Sequence, residues 1–244
     1  MSFVSALRRT QPFFSVAMAL CLLSPAVHAE PVQVALSTNK GDIVLELDEG
    51  RAPQTVSNFL QYVDDGFYND TLFHRVIEGF MIQGGGFSKD YQRKSTRAPI
   101  SNEAYNGLRN DQYTIAMART TAPHSATAQF FINSQNNRNL DHTDTTQRGW
   151  GYTVFGKVVN GEAVVDAISQ TRTSSGGPFS RDVPIEPVVI LKAYRMSADS
   201  AGGMASDTSA LSAPANSSVD ALQTGGAATT DQDKTASDQP VEQN

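Results

Sequence analysis

The apolar residues between positions 30 and 196 fall into short segments of alternating character, and this pattern limits what the chain can fold into. Val32, Val34 and Leu36 alternate with polar or small neighbours, and apolar residues recur at 43, 45 and 47 after a turn at residues 39–42. Because successive side chains of a strand point to opposite faces, a period of two is typical of a strand with one buried face. The two segments therefore predict a β-hairpin.

Similar segments predict six further strands, at residues 72–76, 80–83, 113–118, 130–133, 153–159 and 188–194. Two segments have the helical period instead. Pro53 precedes apolar residues at 56, 59, 60 and 63, which predicts a helix that ends before Gly66. A second helix is predicted at residues 162–169. Many short strands with only two helices predict a closed or nearly closed antiparallel barrel. The long loops at 87–105 and 136–152 indicate binding surfaces.

The first 29 residues have the composition of a secretory signal peptide. Arg8 and Arg9 precede an apolar run at residues 13–23, and small residues stand at positions 27 and 29. These features predict cleavage after Ala29 and export, which we interpret as export to the periplasm. The alternative is a membrane anchor, but that needs roughly 20 apolar residues, about twice the length of this run. We therefore expect no stable membrane insertion after cleavage.

The only cysteine of the chain, Cys21, lies inside this apolar run. Lipoprotein processing requires a small residue just before the cysteine, and Leu20 stands there, so a lipid anchor is not predicted. Once the signal is removed the chain holds no cysteine. Disulfides and thiol chemistry are then excluded, and an oxidising compartment poses no thiol problem.

The last segment, residues 197–244, is rich in Ser, Ala, Gly, Thr, Asp and Gln and has almost no large apolar residues. Such a composition buries too little surface to offset the conformational entropy lost on folding, so the segment is predicted to be a disordered acidic tail. Most of the net charge of −6 belongs to it. The single domain predicted between the two ends, residues 30–196, has no basic patch, and no nucleic-acid partner is expected.

Three motifs occur in order within this domain. The first spans residues 73–86 and contains Arg75 in an apolar strand, where its side chain would lie on the face opposite Val76. The others are at residues 117–119 with 129–133, and at residues 140–141 with 151–158. Taken alone, Arg75 would be interpreted as a solvated strand arginine. Each of the other motifs would be core strand and loop.

Other candidate sites in the domain have simpler interpretations. The glycines at 84–86 lack the Lys-Ser/Thr pair and the helix that follow a phosphate-binding loop. The histidines at 74, 124 and 142 have no metal-ligand spacing, and no metal site is predicted. The group Asp141, His142 and Asp144 could be an acid–base group or a cation site, and we interpret it as a polar loop. Ser125 lacks the context of a nucleophile.

Together and in this order, the motifs resemble those of the cyclophilin family of peptidyl-prolyl isomerases, particularly its exported bacterial members. The resemblance covers residues 34–194. It implies a mainly β fold, an eight-stranded antiparallel closed β-barrel capped by two α-helices. It also implies an enzyme that accelerates rotation about X-Pro bonds without a cofactor, acts as a monomer on proline-containing unfolded or partly folded polypeptides, and assists the folding of exported proteins.

Matched residue by residue, the resemblance makes Arg75 the catalytic residue. The implied proline pocket consists of Phe80, Met81, Phe131 and Leu140. Gln83 and Gln129 would position the peptide through their polar side chains, and Ala118 and Arg119 would lie along it through backbone contacts. Tyr152 completes the implied substrate-binding residues. Tyr152 stands where many members have histidine. Asn139 stands where several have the tryptophan associated with tight cyclosporin binding, which implies weak binding of that drug. Trp150 is not at that position.

The residue types suit the reaction. A peptide bond resists rotation with a barrier of about 18–20 kcal/mol, because the nitrogen lone pair is delocalised into the carbonyl. The two isomers of an X-Pro bond differ by only about 0.5–1 kcal/mol and no covalent bond is broken, so neither nucleophile nor metal is required. A guanidinium aimed at the prolyl nitrogen would stabilise the twisted state more than the planar one. A dry aromatic pocket would strengthen that interaction.

Two other functions remain open from the sequence. One is a proline-binding, chaperone-like module in which isomerase activity is incidental. The other is a surface-interaction protein that acts through its acidic tail. The first predicts that Arg75→Ala abolishes turnover but keeps the suppression of client aggregation. The second predicts that deletion of residues 197–244 removes the phenotype and leaves the isomerase rate unchanged.

Overall fold

The alternating segments form the strands of the structure, a computed structural model that describes residues 31–196. The predicted signal peptide at 1–29 and the predicted tail at 197–244 lie outside the described residues. The strands are β1 (Gln33–Thr38), β2 (Gly41–Leu47), β3 (Thr71–Leu72), β4 (Arg75–Ile77), β5 (Met81–Gly84), β6 (Thr114–Met117), β7 (Phe130–Asn133), β8 (Val154–Asn160), β9 (Thr173–Gly176), β10 (Phe179–Pro184) and β11 (Val189–Arg195). The helices are α1 (Pro53–Asp64) and α2 (Glu162–Ser169), with 3-10 turns at Ala104–Asn106 and Arg138–Leu140.

Nine of these strands form one antiparallel sheet in the spatial order β3-β11-β1-β2-β8-β6-β7-β5-β4, and β9 pairs with β10 separately. The predicted closed eight-stranded barrel is wrong, because this sheet is an open half-barrel of nine strands. The predicted strand at 72–76 divides at Phe73, whose N–H donates to the carbonyl of Val188 at 2.9 Å. The two edge strands, β3 and β4, are successive pieces of one extended chain. They pair with β11 and with β5, respectively, and not with each other, so the sheet stays open.

The sheet is covered on both faces at β5 and β7, the two strands next to its β4 edge. All four residues of β5 and all four of β7 are buried. On the inner face, Ile82, Phe130 and Ile132 join the main core, where Phe130 meets Phe59 of α1 edge-on at 5.7 Å between ring centroids. On the outer face, Met81 and Phe131 belong to a second, smaller apolar cluster. A strand that is apolar on both faces therefore has one face in the core and the other under loops.

Helix α1 begins at Pro53, as predicted, and its apolar side packs into the core. Ala52 at its N-cap provides no side-chain acceptor. The acceptor comes instead from a distant loop, because the Glu103 carboxylate accepts hydrogen bonds from the N–H groups of Gln54 at 3.2 Å and Thr55 at 2.8 Å. It also accepts one from the Thr55 hydroxyl at 2.6 Å. Within residues 31–196, no helix is both long and apolar enough to span a bilayer.

Replacing Glu103 with glutamine should lower the free energy of unfolding by about 1 kcal/mol. The amide keeps one acceptor oxygen but loses the negative charge at the positive end of α1. Urea unfolding at neutral pH measures the change, and Glu78→Gln, a substitution of the same type on the turn between β4 and β5, is the control. An unchanged unfolding midpoint in the Glu103 variant would contradict the assigned cap.

Candidate active site

The sheet register brings Arg75 into line with the centre of the outer face. Arg75 on β4 lies opposite Gln83 on β5, Gln83 lies opposite Phe131 on β7, and Phe131 lies opposite Ala116 on β6. Directly opposed residues of neighbouring strands share a face. The four side chains therefore form one row across four strands, and residues that are distant in sequence become neighbours.

The residues of the predicted proline pocket lie on this face in one apolar cluster, which comprises Phe80, Met81, Ala116, Ala118, Phe131, Leu140, Tyr152 and Val154. Phe131 lies at its centre and is fully buried, and its ring meets Tyr152 edge-on at 5.6 Å between centroids. Phe80 is 9% exposed and forms the edge of the pocket. Leu140 reaches the pocket from the 3-10 turn, next to the exposed Asn139. The structure thus brings together all four residues of the predicted proline pocket.

Two glutamines lie beside the pocket, on neighbouring segments of the sheet. Gln83 donates from Nε2 to Oε1 of Gln129 at 3.0 Å, and both side chains are almost completely buried. Gly86, two residues after β5, explains how the two glutamine side chains fit, because a Cβ at this position would lie only 2.5 Å from Cγ of Gln129. This glycine therefore serves the close packing of the chain against Gln129.

Arg75 is not the solvated strand arginine that its sequence alone would suggest, because only 8% of the residue is exposed. Its Nε lies 3.7 Å from Oδ2 of Asp182 on β10, a residue that the motifs did not single out. A buried guanidinium keeps its charge and presents donors in a rigid plane. The row of opposed residues places this cation on the same face as the apolar pocket.

Arg119 is also buried, but its side chain points into the protein structure that surrounds the pocket. Its guanidinium donates to the carbonyl oxygens of Gly151 at 2.8 Å, Thr120 at 3.0 Å and Gln147 at 3.2 Å. It also lies over the Tyr152 ring, with Cζ 4.6 Å from the centroid. The side chain therefore ties the loop before β8 to the loop after β6. The backbone contacts with a bound peptide that the resemblance implies for Arg119 remain a prediction.

Tyr152 remains a neutral phenol in this environment. Burial raises the pKa of Tyr152, and the neighbouring charges of Arg119 and Arg75 oppose that rise. Burial lowers the pKa of Arg119, but an arginine still retains its proton at any physiological pH. The pocket wall therefore contains a hydroxyl group and a cation, and neither changes charge near neutrality.

Sequence reasoning missed the buried asparagines that shape the loops around the pocket. Asn102 donates to the carbonyl of Gly151 at 3.1 Å, and Asn110 donates to that of Leu140 at 3.1 Å. Asn137 donates to the carbonyl of Phe80 at 2.8 Å. Nothing in the sequence distinguishes these asparagines from surface ones, since each stands in a polar loop.

The group at residues 141–144 has the hydrogen bonds of a polar loop, which confirms that interpretation. Asp141 accepts the backbone N–H of Asn110 at 2.7 Å, and Asp144 accepts that of Thr146 at 2.7 Å. His142 Nδ1 lies 3.1 Å from the carbonyl oxygen of Trp150. These contacts connect the residues of this loop to one another and to the loop that contains Asn110.

His74 precedes Arg75 and is buried between two aromatic rings, those of Phe87 and Phe179. Burial lowers the pKa of His74 to about 3, a hydrogen bond with the Leu72 carbonyl opposes the shift, and the charge of Arg75 adds to it. The folded protein therefore holds this imidazole neutral at all but strongly acidic pH. An unfolded chain would protonate it near pH 6.5.

This difference predicts a stability that falls with acidification. Above about pH 6.5 both states hold His74 neutral and it adds no pH dependence, whereas between pH 6.5 and 3 the unfolded state gains a proton and each unit costs up to about 1.4 kcal/mol. Replacing His74 with phenylalanine should flatten the pH dependence in this window. Urea unfolding of both proteins from pH 4 to 7 measures the difference, and parallel curves would contradict the prediction.

The open antiparallel half-barrel has an aromatic cluster and a buried arginine on one face, a combination that suits a small apolar ring held beside a cationic donor. The model of the family described as Cyclophilin type peptidyl-prolyl cis-trans isomerase/CLD matches residues 33–195. The chain belongs to this family, and it is a peptidyl-prolyl cis-trans isomerase.

Similar proteins include bacterial enzymes of this name. Peptidyl-prolyl cis-trans isomerase cyp18 of Streptomyces antibioticus is 62% identical over 64% of this chain and 94% of its own length. Peptidyl-prolyl cis-trans isomerase A of Dickeya dadantii is 53% identical over 72% of this chain and 91% of its own length. A cyclophilin-type isomerase of Cryptosporidium parvum, with a crystal structure determined in the presence of the dipeptide Ala-Pro, aligns with a TM-score of 0.54 at 27% identity, over 68% of this chain and 99% of that one.

Proposed function

We propose that Arg75 is the catalytic residue and that it donates a hydrogen bond to the prolyl nitrogen as the X-Pro bond twists. In the planar amide this nitrogen is a poor acceptor, because its lone pair is delocalised. In the twisted state the lone pair is localised and accepts. The interaction is therefore stronger in the transition state than in either isomer, which is what accelerates rotation.

The pocket formed by Phe80, Met81, Phe131 and Leu140 holds the pyrrolidine ring. A ring that is held still lets the carbonyl group before it swing, so the enzyme turns one side of the bond against the other. The crystal structure of the Cryptosporidium parvum relative in the presence of Ala-Pro supports this substrate class. Gln83 and Gln129 hold each other at 3.0 Å beside the pocket and provide amide groups to position the peptide backbone.

The single observation that carries this assignment is the row Arg75, Gln83 and Phe131, in which a buried cation and a buried ring occupy one face of three adjacent strands. Exchange of an Ala-Pro peptide between its isomers, measured by NMR or by a protease-coupled assay, tests it. The comparison of wild type with an Arg75 variant is decisive.

We further propose that the protein is exported to the periplasm, where it assists the folding of proline-containing polypeptides. The proposal rests on the signal-like residues 1–29. N-terminal sequencing of the protein recovered from a bacterial periplasm should give a chain that begins at Glu30. A full-length chain that stays in the cytoplasm would rule out this location without affecting the enzymatic assignment.

A further inference from the structure

The β9–β10 hairpin presents an acidic side chain to Arg75 through an irregularity in its own pairing. Phe179 of β10 pairs with Gly176 and Val183 pairs with Ser174, so that residues 180–182 face the single residue Ser175. Asp182, the last of the three, has a left-handed backbone with φ of 66°. A bulge of this kind redirects side chains, and a non-glycine residue held at positive φ often marks a functional position.

The hairpin is packed against the strand that bears Arg75. The Phe179 ring stacks on His74 with centroids 5.3 Å apart and meets Phe87 edge-on at 5.0 Å. With Val183, Phe87 and Phe179 form a small buried cluster of their own. Because His74 directly precedes Arg75, this packing fixes the hairpin beside the guanidinium and makes the position of Asp182 a property of the fold.

The ion pair between Asp182 and Arg75 is better shielded than the surface pairs of the protein. The two side chains are 21% and 9% exposed, whereas those of Asp70 and Lys89, which form a surface pair at 3.9 Å, are 64% and 61% exposed. Shielding from water strengthens the attraction between charges. Asp182 Oδ2 also lies 3.5 Å from Nε of the more exposed Arg181.

The geometry of the pair determines what it can do. Asp182 approaches Arg75 at Nε, the nitrogen nearest the aliphatic stem. The guanidinium is planar, so a charged group held at Nε restrains the orientation of the plane and with it the directions of both terminal nitrogens. A donor that must point at one nitrogen atom of a twisting bond gains from such restraint, because a misdirected donor contributes little.

We propose that Asp182 is a positioning residue of this isomerase, held in place by the β10 bulge, and that it orients the Arg75 guanidinium toward the prolyl nitrogen. The inference rests on the proposed catalytic role of Arg75. The inference explains why Asp182 is held with a left-handed backbone beside Arg75. It also places a residue that assists catalysis on a hairpin outside the main sheet.

The test is Asp182→Asn, which keeps the side-chain shape and tolerates a left-handed backbone but removes the charge. Asp70→Asn is the matched control, because Asp70 also has a positive φ, of 56°, and its ion pair is with Lys89. The Asp182 variant should lose about two- to fivefold in kcat with KM unchanged. The control should keep both values, and both variants should unfold at similar urea concentrations.

Two further measurements separate positioning from a structural role. In an Arg75→Ala background, assayed at high enzyme concentration, Asp182→Asn should have no further effect on kcat, since no guanidinium remains to be oriented. The NMR resonance of the Arg75 Nε–H should shift in Asp182→Asn and stay in place in Asp70→Asn. Unchanged kcat in Asp182→Asn, or an equal loss with and without Arg75, would overturn the proposal. Full activity of Arg75→Ala alone would instead overturn the catalytic role on which it rests.

Discussion

Replacing Arg75 with alanine should lower kcat/KM for an Ala-Pro peptide by about a hundredfold or more, the usual effect of losing a preorganised donor to a transition state. The guanidinium is 8% exposed and shares a face with the pocket, so neither water nor a neighbouring side chain is expected to replace it. KM should change little, because the planar substrate gains little from this donor. Isomer exchange by NMR at matched enzyme concentrations measures the loss.

A second variant of Arg75 tests whether a positive charge alone is sufficient for catalysis, and a variant of a surface arginine is the control. Arg75→Lys keeps the charge but loses the planar fork, and we expect it to recover only a small part of the activity. Arg195→Ala removes a surface arginine whose ion pair is with Asp64, and it should retain wild-type kcat/KM. Each variant is first compared by circular dichroism. Undiminished turnover by a folded Arg75→Ala protein would falsify the mechanism.

Alanine at two neighbouring positions of β7 should separate stability from activity. Phe130 faces the main core and packs against the rings of Phe59, Tyr68 and Phe73. Its removal leaves a cavity among rigid neighbours, so Phe130→Ala should cost about 3–5 kcal/mol of unfolding free energy. Molecules that remain folded should still turn over the peptide, because the outer face of the sheet is unchanged.

Phe131→Ala should lower activity strongly and stability less. Its ring lies at the centre of the pocket and is proposed to contact the substrate proline, so its loss should lower kcat/KM by about 10- to 100-fold. Its effect on stability should be smaller than that of Phe130→Ala, because Phe131 packs in the smaller apolar cluster and not in the main core. Urea unfolding and peptide exchange at low temperature measure both quantities. A folded Phe130 variant with no activity, or a fully active Phe131 variant, would contradict the assignment of the two faces.

Local pattern was sufficient to predict most of the regular elements. Helix α2 spans 162–169 and strand β7 spans 130–133, as their periodicity predicts. The hairpin of β9 and β10 escaped prediction because β9 is almost entirely exposed and has no apolar alternation. The predicted barrel closure failed because the chain divides at residues 73–74 into β3, which pairs with β11, and β4, which pairs with β5, and these two edge strands do not pair with each other.

The candidate site was predictable only in part. The motifs pointed to Arg75 and to the pocket residues through their order in the chain, which resembles that of a known family. Asp182 on β10 and the loop residues Asn102 and Asn110 escaped, because a polar residue looks the same in sequence whether it is buried or exposed. Their partners are tens of residues away, and only folding shows them.

Arg75 illustrates which properties the sequence determines and which depend on the tertiary structure. The sequence by itself determined that this arginine lies on a short strand, that aromatic strands follow it and that the chain has the motifs of a proline isomerase, because side-chain periodicity and motif order are local properties. The tertiary structure alone decided that the arginine is buried, that Phe131 shares its face and that Asp182 meets its Nε. Burial, register and ion pairing depend on contacts between distant segments, and a linear pattern contains no distances between them.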